Sequence, residues 1–74
     1  MKRYRNLDGN SGVAAYEIGD GFIRIRFVNG DVYEYTDEVT GAEHIANMRK
    51  LAHAGLGLAT YASRFVHEGY ARKL

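Results

Sequence analysis

Cysteine and proline are both absent from the 74 residues. Without cysteine there is no disulfide and no thiolate chemistry, which suits a reducing cytoplasm. Without proline there is no Pro/Ser linker to divide the chain, and no repeat or low-complexity segment marks a boundary either. No stretch approaches the roughly 20 apolar residues of a membrane helix. The opening "MKRYRNLDGN" is basic, but no apolar run follows it, so a secretory signal is not expected there and a cytoplasmic protein is. Charge of one sign is also missing. Ten Lys and Arg face nine Asp and Glu, a net of +1. That balance does not by itself announce nucleic acid.

The length allows one domain. A domain this short buries only about 60% of the surface of its unfolded chain. That leaves little room for a deep catalytic cleft and favours a surface binding function. Oligomerisation would help such a chain.

What is present is strand and helix patterning. Residues 1–10 read as a polar, basic arm ending in the turn chemistry of Asp8-Gly9-Asn10. Val13 to Ile18 reads as a short strand, and "GDG" at 19–21 as a turn. In "FIRIRFV", Ile23, Ile25 and Phe27 share one face and Arg24 and Arg26 the other. "NGD" follows, then a strand over Val32 to Thr36. Three short strands with tight turns predict an antiparallel meander.

Helices come next. Thr40 and Glu43 have capping-box spacing. Ile45, Met48, Leu51 and Ala52 form an apolar stripe, with Glu43, Asn47 and Lys50 on the wet face. Gly55 suits the left-handed position after a helix. A second, shorter helix is predicted from about Tyr61 to Glu68, capped by Thr60 and stopped by Gly69, with Ala62, Phe65 and Val66 inward. The expected domain over 11–74 is α+β: a three-stranded antiparallel β-meander packed against two C-terminal helices.

The register of the "VNGDVYEY" hairpin decides what Tyr33 and Tyr35 do. In a two-residue loop at Asn29-Gly30, both tyrosines share a face with Arg24 and Arg26, a platform on which single-stranded nucleic acid would stack. That register puts Glu34 on the apolar face beside Ile25. In a type I turn with Gly30 left-handed, Ile25 pairs with Tyr33, Ile23 with Tyr35 and Arg24 with Glu34, and the tyrosines join the core. A one-residue slip inverts every side chain. Desolvating a carboxylate costs more than a turn preference, which favours the second register.

"SGVAAYEI", "IRIRFVNGDVYEY" and "LAHAGLGLATYASRFVHEGY" together resemble the KTSC domain. This small bacterial domain is named for its occurrence at the C-terminus of some lysyl-tRNA synthetases and also occurs alone. The likeness spans roughly residues 11–70. Phe27, Gly30, Tyr33 and Tyr35 match the family's strand, glycine turn and Tyr-x-Tyr. Ala52, Gly55, Gly57, Leu58, Tyr61 and Tyr70 match its later half. Thr40, Ala54 and Ala59 stand where members often carry proline, serine and asparagine, so a ligand contact made by that serine or asparagine would be missing here. The resemblance implies a small binding domain, with RNA the suggested ligand.

The residues themselves offer one set of phosphate contacts. Arg24 and Arg26 project from one sheet face, and Lys2, Arg3, Arg5, Arg72 and Lys73 lie at the chain ends, where five cations would form one patch if the ends met. Tyr4 and Tyr70 are the aromatics expected to be accessible. The plainer reading of the same residues is a solvated sheet face with an Arg24–Glu34 pair and ordinary basic tails.

Other chemistry is poorly supported. His44, His53 and His67 have no i, i+4 spacing among them, so no metal or cofactor is expected. Ser63 and His67 are four apart on a helix but lack an orienting acid and an oxyanion hole. "GLGLAT" follows a helix rather than a strand and has Thr60 where a dinucleotide fingerprint has its last glycine. The expectation is a non-enzymatic module binding RNA or single-stranded nucleic acid. The alternative is a protein-interaction or self-association module, an adaptor or inhibitor, acting through the C-terminal helix with Phe65, Val66, Tyr70 and Leu74.

Overall fold

Gly30 takes φ +96°, and the hairpin around it adopts the bulge register. The Phe27 N–H donates to the Asp31 carbonyl at 2.8 Å, and the Gly30 N–H donates to the Phe27 carbonyl at 2.9 Å. A side chain resists that left-handed backbone, which is why glycine stands there. From this turn the ladder runs Ile25 opposite Tyr33, Arg24 opposite Glu34 and Ile23 opposite Tyr35. Tyr35 is 3% exposed and belongs to the core. Tyr33 is half-buried against that core.

The computed structural model describes residues 1–74. Its elements in chain order are β1 (Lys2–Arg3), β2 (Val13–Gly19), β3 (Phe22–Phe27), β4 (Val32–Thr36), α1 (Ala42–Ala54), α2 (Leu58–Phe65) and β5 (Arg72–Lys73). The strands form one antiparallel sheet in the order β1-β2-β3-β4-β5. The fold is α+β, with two helices following a meander. It has five strands rather than three, because each chain end adds a two-residue edge strand.

The first ten residues are therefore no separate arm. Lys2 pairs with Tyr16 and Arg3 with Ala15. Tyr4 is 3% exposed, against the expectation of an accessible ring. Its hydroxyl accepts the N–H of Leu58 at 3.2 Å, at the start of α2. The Leu7 N–H donates to the Gly55 carbonyl at 2.8 Å, and the Arg5 guanidinium donates to the His53 carbonyl. Residues 4–7 thus cross the α1–α2 corner and satisfy backbone groups that the helix ends leave free.

The inner sheet face and the helices enclose one core. Val13, Tyr16, Ile23, Ile25 and Tyr35 meet Ile45, Met48 and Ala52 of α1 and Leu58 and Ala62 of α2, with Val66 beyond. A bulge between Val13 and Ala15 lets both Val13 and Tyr16 face inward.

Helix ends depart from the sequence signals in two places. Gly41, not Thr40, is the N-cap of α1, and no side chain caps it. The Thr40 hydroxyl instead donates to the Gly69 carbonyl at 2.6 Å, tying the start of α1 to the turn after α2. Helix α2 begins three residues earlier than predicted, after left-handed Gly57, and ends at Phe65. Its start is fixed by Tyr4 rather than by Thr60. Gly55 behaves as the spacing suggests, left-handed at φ 72°, with its N–H on the carbonyls of Leu51 and Ala52.

Candidate nucleic-acid interface

Cross-strand partners point to the same side of a sheet, so the register sorts every charged residue. Glu17 lies opposite Arg24, Arg24 opposite Glu34, and Glu34 opposite Arg72. These four form a row of alternating charge across β2, β3, β4 and β5 on the outer face. Arg24 Nε donates to Glu34 Oε1 at 2.7 Å, and Arg72 Nε donates to Glu34 Oε2 at 2.9 Å. Arg24 Nη1 also reaches Glu17 at 3.4 Å and its guanidinium lies 4.7 Å from the Phe22 ring centroid. Glu34 is 8% exposed beneath this cover. Hydrogen bonds first from Arg72 and then from Arg24 hold its carboxyl below the ordinary carboxylate value.

This row changes the standing of several candidate contacts. Arg24 and Arg72 are committed to Glu34, and Lys73 lies 3.6 Å from Asp31. Nor do the chain ends meet: β1 and β5 are the opposite edges of the sheet. The five terminal cations do not form one patch.

The β1 edge is different. Arg3 lies opposite Ala15, and Ala15 opposite Arg26, so two exposed arginines flank a buried alanine on the outer face. Around the edge, Lys2, Arg3 and Arg5 line a shallow groove with Tyr16 and His53. His53 comes from the last turn of α1 and packs edge-on to the Tyr16 ring, with centroids 6.2 Å apart. No carboxylate lines this groove, and Lys2, Arg3, Arg5 and Arg26 take no part in the ion pairs of the molecule. Sequence spacing points to the first three of these. It does not reveal His53, which only the packing of α1 across β2 brings there.

The Tyr-x-Tyr pair takes no part in either cationic surface. Tyr33 packs against Tyr70 with centroids 4.7 Å apart and planes tilted by 55°, and it meets Phe27 edge-on at 5.8 Å. Gly30, Gly55 and Gly57 are three of the six glycines that take positive φ. Tyr61 accepts a hydrogen bond from Asn47 at 3.1 Å and lies 2.7 Å from His44 Nδ1, bracing α2 against α1. Phe65, expected inside, is 60% exposed; it is the last residue of α2, and Val66 after it closes the core instead.

No group of three or more His, Cys, Asp and Glu side chains is arranged to hold a metal ion, and no helix is long and apolar enough to cross a membrane. No family model, curated protein or solved structure matches the chain.

Proposed function

We propose that the chain is a non-enzymatic binding module of KTSC-like character whose ligand is RNA or single-stranded nucleic acid, held along the β1 edge. The observation that carries this reading is the carboxylate-free groove of Lys2, Arg3, Arg5 and His53, with Arg26 in the adjoining row. Everywhere else on the sheet the cations are answered by acids. A phosphate backbone needs unanswered cations, and each phosphate neutralised makes the affinity fall with salt. Tyr16 is buried, so stacking contributes little and the affinity rests on phosphate contacts.

The test is an amide-shift NMR titration of the full chain with a mixed short RNA pool, at low and at moderate salt. Shifts are expected at Lys2, Arg3, Arg5, Arg26 and His53, and they fade as salt rises. For single strands the log–log salt slope is roughly −0.7 per phosphate. The double variant Lys2→Gln/Arg3→Gln should therefore lose roughly 1.4 from that slope. Arg64→Gln, on the far helix, should leave it unchanged. Absence of shifts at low salt overturns the reading, as does a slope indifferent to Lys2 and Arg3.

A second reading has one observation in its favour. Exposed Phe65 stacks on Tyr61 at 4.8 Å, an aromatic pair on the outside of α2 that would suit a protein partner. Association there would persist in salt, so the same titration series separates the two.

A further inference from the structure

A second groove runs between the inner sheet face and α2, away from the basic edge. It encloses about 350 Å3, within the range of small-ligand sites. Phe27, Tyr33 and Tyr35 wall it on the sheet side, and Tyr70 joins them from the segment after α2. The helix contributes only Ala59, Ala62 and Ser63 along its length. Rings on one wall and small side chains on the other leave a slot suited to a flat molecule.

Tyr35 sets the chemistry. The residue is 3% exposed and lines the groove, yet its hydroxyl makes no hydrogen bond within the protein. Its oxygen keeps some solvent contact, so the open groove is where it would meet a partner. Burial first, then the neighbouring phenols of Tyr33 and Tyr70, pushes the Tyr35 hydroxyl up to about 12. At neutral pH it is a protonated donor facing the groove, and none of the polar side chains that line it, Ser63, His67 and Glu68, hydrogen-bonds to it. The rim gives an anion little: Glu68 lines the groove beside His67, and Lys73, 5.7 Å from the Tyr33 ring centroid, is drawn toward Asp31.

We propose that this groove binds an uncharged, planar heteroaromatic molecule of nucleoside size, its ring packed on Tyr33 and Tyr70 and one of its acceptor atoms on the Tyr35 hydroxyl. Aromatic rings supply stacking for any flat base, and the unpartnered Tyr35 hydroxyl supplies orientation. The site is independent of the β1 edge, because it uses none of the phosphate-binding cations.

The probes are adenosine, guanosine, cytidine and uridine, each titrated separately into the full chain up to millimolar concentration and followed by amide shifts. At least one should give saturable shifts at Ala59, Ala62, Ser63 and Tyr70. Tyr35→Phe keeps the ring and should weaken that nucleoside by about threefold to tenfold, the value of one hydrogen bond. Ala59→Leu fills the slot and should abolish binding, with thermal melting showing that each variant is folded. If Tyr35→Phe does not fold, Ala59→Leu decides. Lys2→Gln/Arg3→Gln should leave nucleoside affinity unchanged, which separates this site from the β1 edge. The proposal is overturned if no nucleoside gives saturable shifts, if the shifts fall on the β1 edge, or if a folded Tyr35→Phe binds as well as the parent.

Discussion

Replacing Glu34 by glutamine keeps the side-chain shape and removes the charge at the centre of the outer-face row. Arg24 still has Glu17 at 3.4 Å, but Arg72 loses its carboxylate. Strand β5 is two residues long. It remains attached through the Ala71 N–H on the Glu34 carbonyl and the Leu74 N–H on the Val32 carbonyl, at 2.7 and 2.8 Å. The amide oxygen still accepts one hydrogen bond, and the Arg72 side chain is 59% exposed, so solvent screens much of the lost attraction. The net cost should be about 1 kcal/mol near neutral pH. For a domain of this size that lowers Tm by roughly 4–8 °C. The pH dependence has a definite sign. The folded Glu34 carboxyl lies below its unfolded value, so its stabilisation is present above the unfolded value of about 4.3 and fades as pH falls through the folded one. Thermal melts of parent and variant between neutral and acidic pH should thus show a constant gap that narrows below about pH 4.3 and closes. Amide exchange at Ala71 and Leu74 should accelerate in the variant while Ile23 and Ile25 change little. Equal melting temperatures at neutral pH would refute the idea that the carboxylate holds β5, and so would a gap that ignores pH.

Two further outcomes follow from the α1–α2 corner. Gly55→Ala forces a side chain onto φ 72° and puts its Cβ 2.6 Å from Arg5 Cβ, so it should cost about 1–3 kcal/mol and loosen residues 4–7, seen as a lower denaturation midpoint with faster exchange at Leu7. Tyr4→Phe should cost about 1–3 kcal/mol by stranding the Leu58 N–H, and a melting curve matching the parent would show that this amide finds another partner.

The middle of the chain was legible because its signals are redundant. In β3 the alternation of Ile23, Ile25 and Phe27 with Arg24 and Arg26 names the faces. The cost of burying Glu34 among apolar groups then selects one register over the other. Glu34 is nevertheless well covered, on the opposite face and by its own arginines, an outcome that depends on Arg72 arriving from 38 positions away. The edge strands were not legible. "KR" and "RK" carry no periodicity, and two residues become strand only because β2 and β4 offer free ladders. Helix caps misled for a related reason. Thr40 and Thr60 have the right chemistry, but the Thr40 hydroxyl is drawn to the Gly69 carbonyl, and the Tyr4 hydroxyl rather than Thr60 meets the first N–H of α2. Of the candidate contacts, Lys2, Arg3, Arg5 and Arg26 kept unpaired charge, whereas Arg24, Arg72 and Lys73 lost theirs to acids that only the sheet order brings alongside.

An open sheet has two rows of unspent backbone groups, and another copy can add to either. Here both outermost strands are short, and the residues that form them are Lys2, Arg3, Arg72 and Lys73. A second molecule pairing β1 with β1 brings unanswered cation against cation, while at the β5 edge the template is only two residues long. Brevity limits the template and charge of one sign guards it, so the chain ends act as a fence against runaway strand addition.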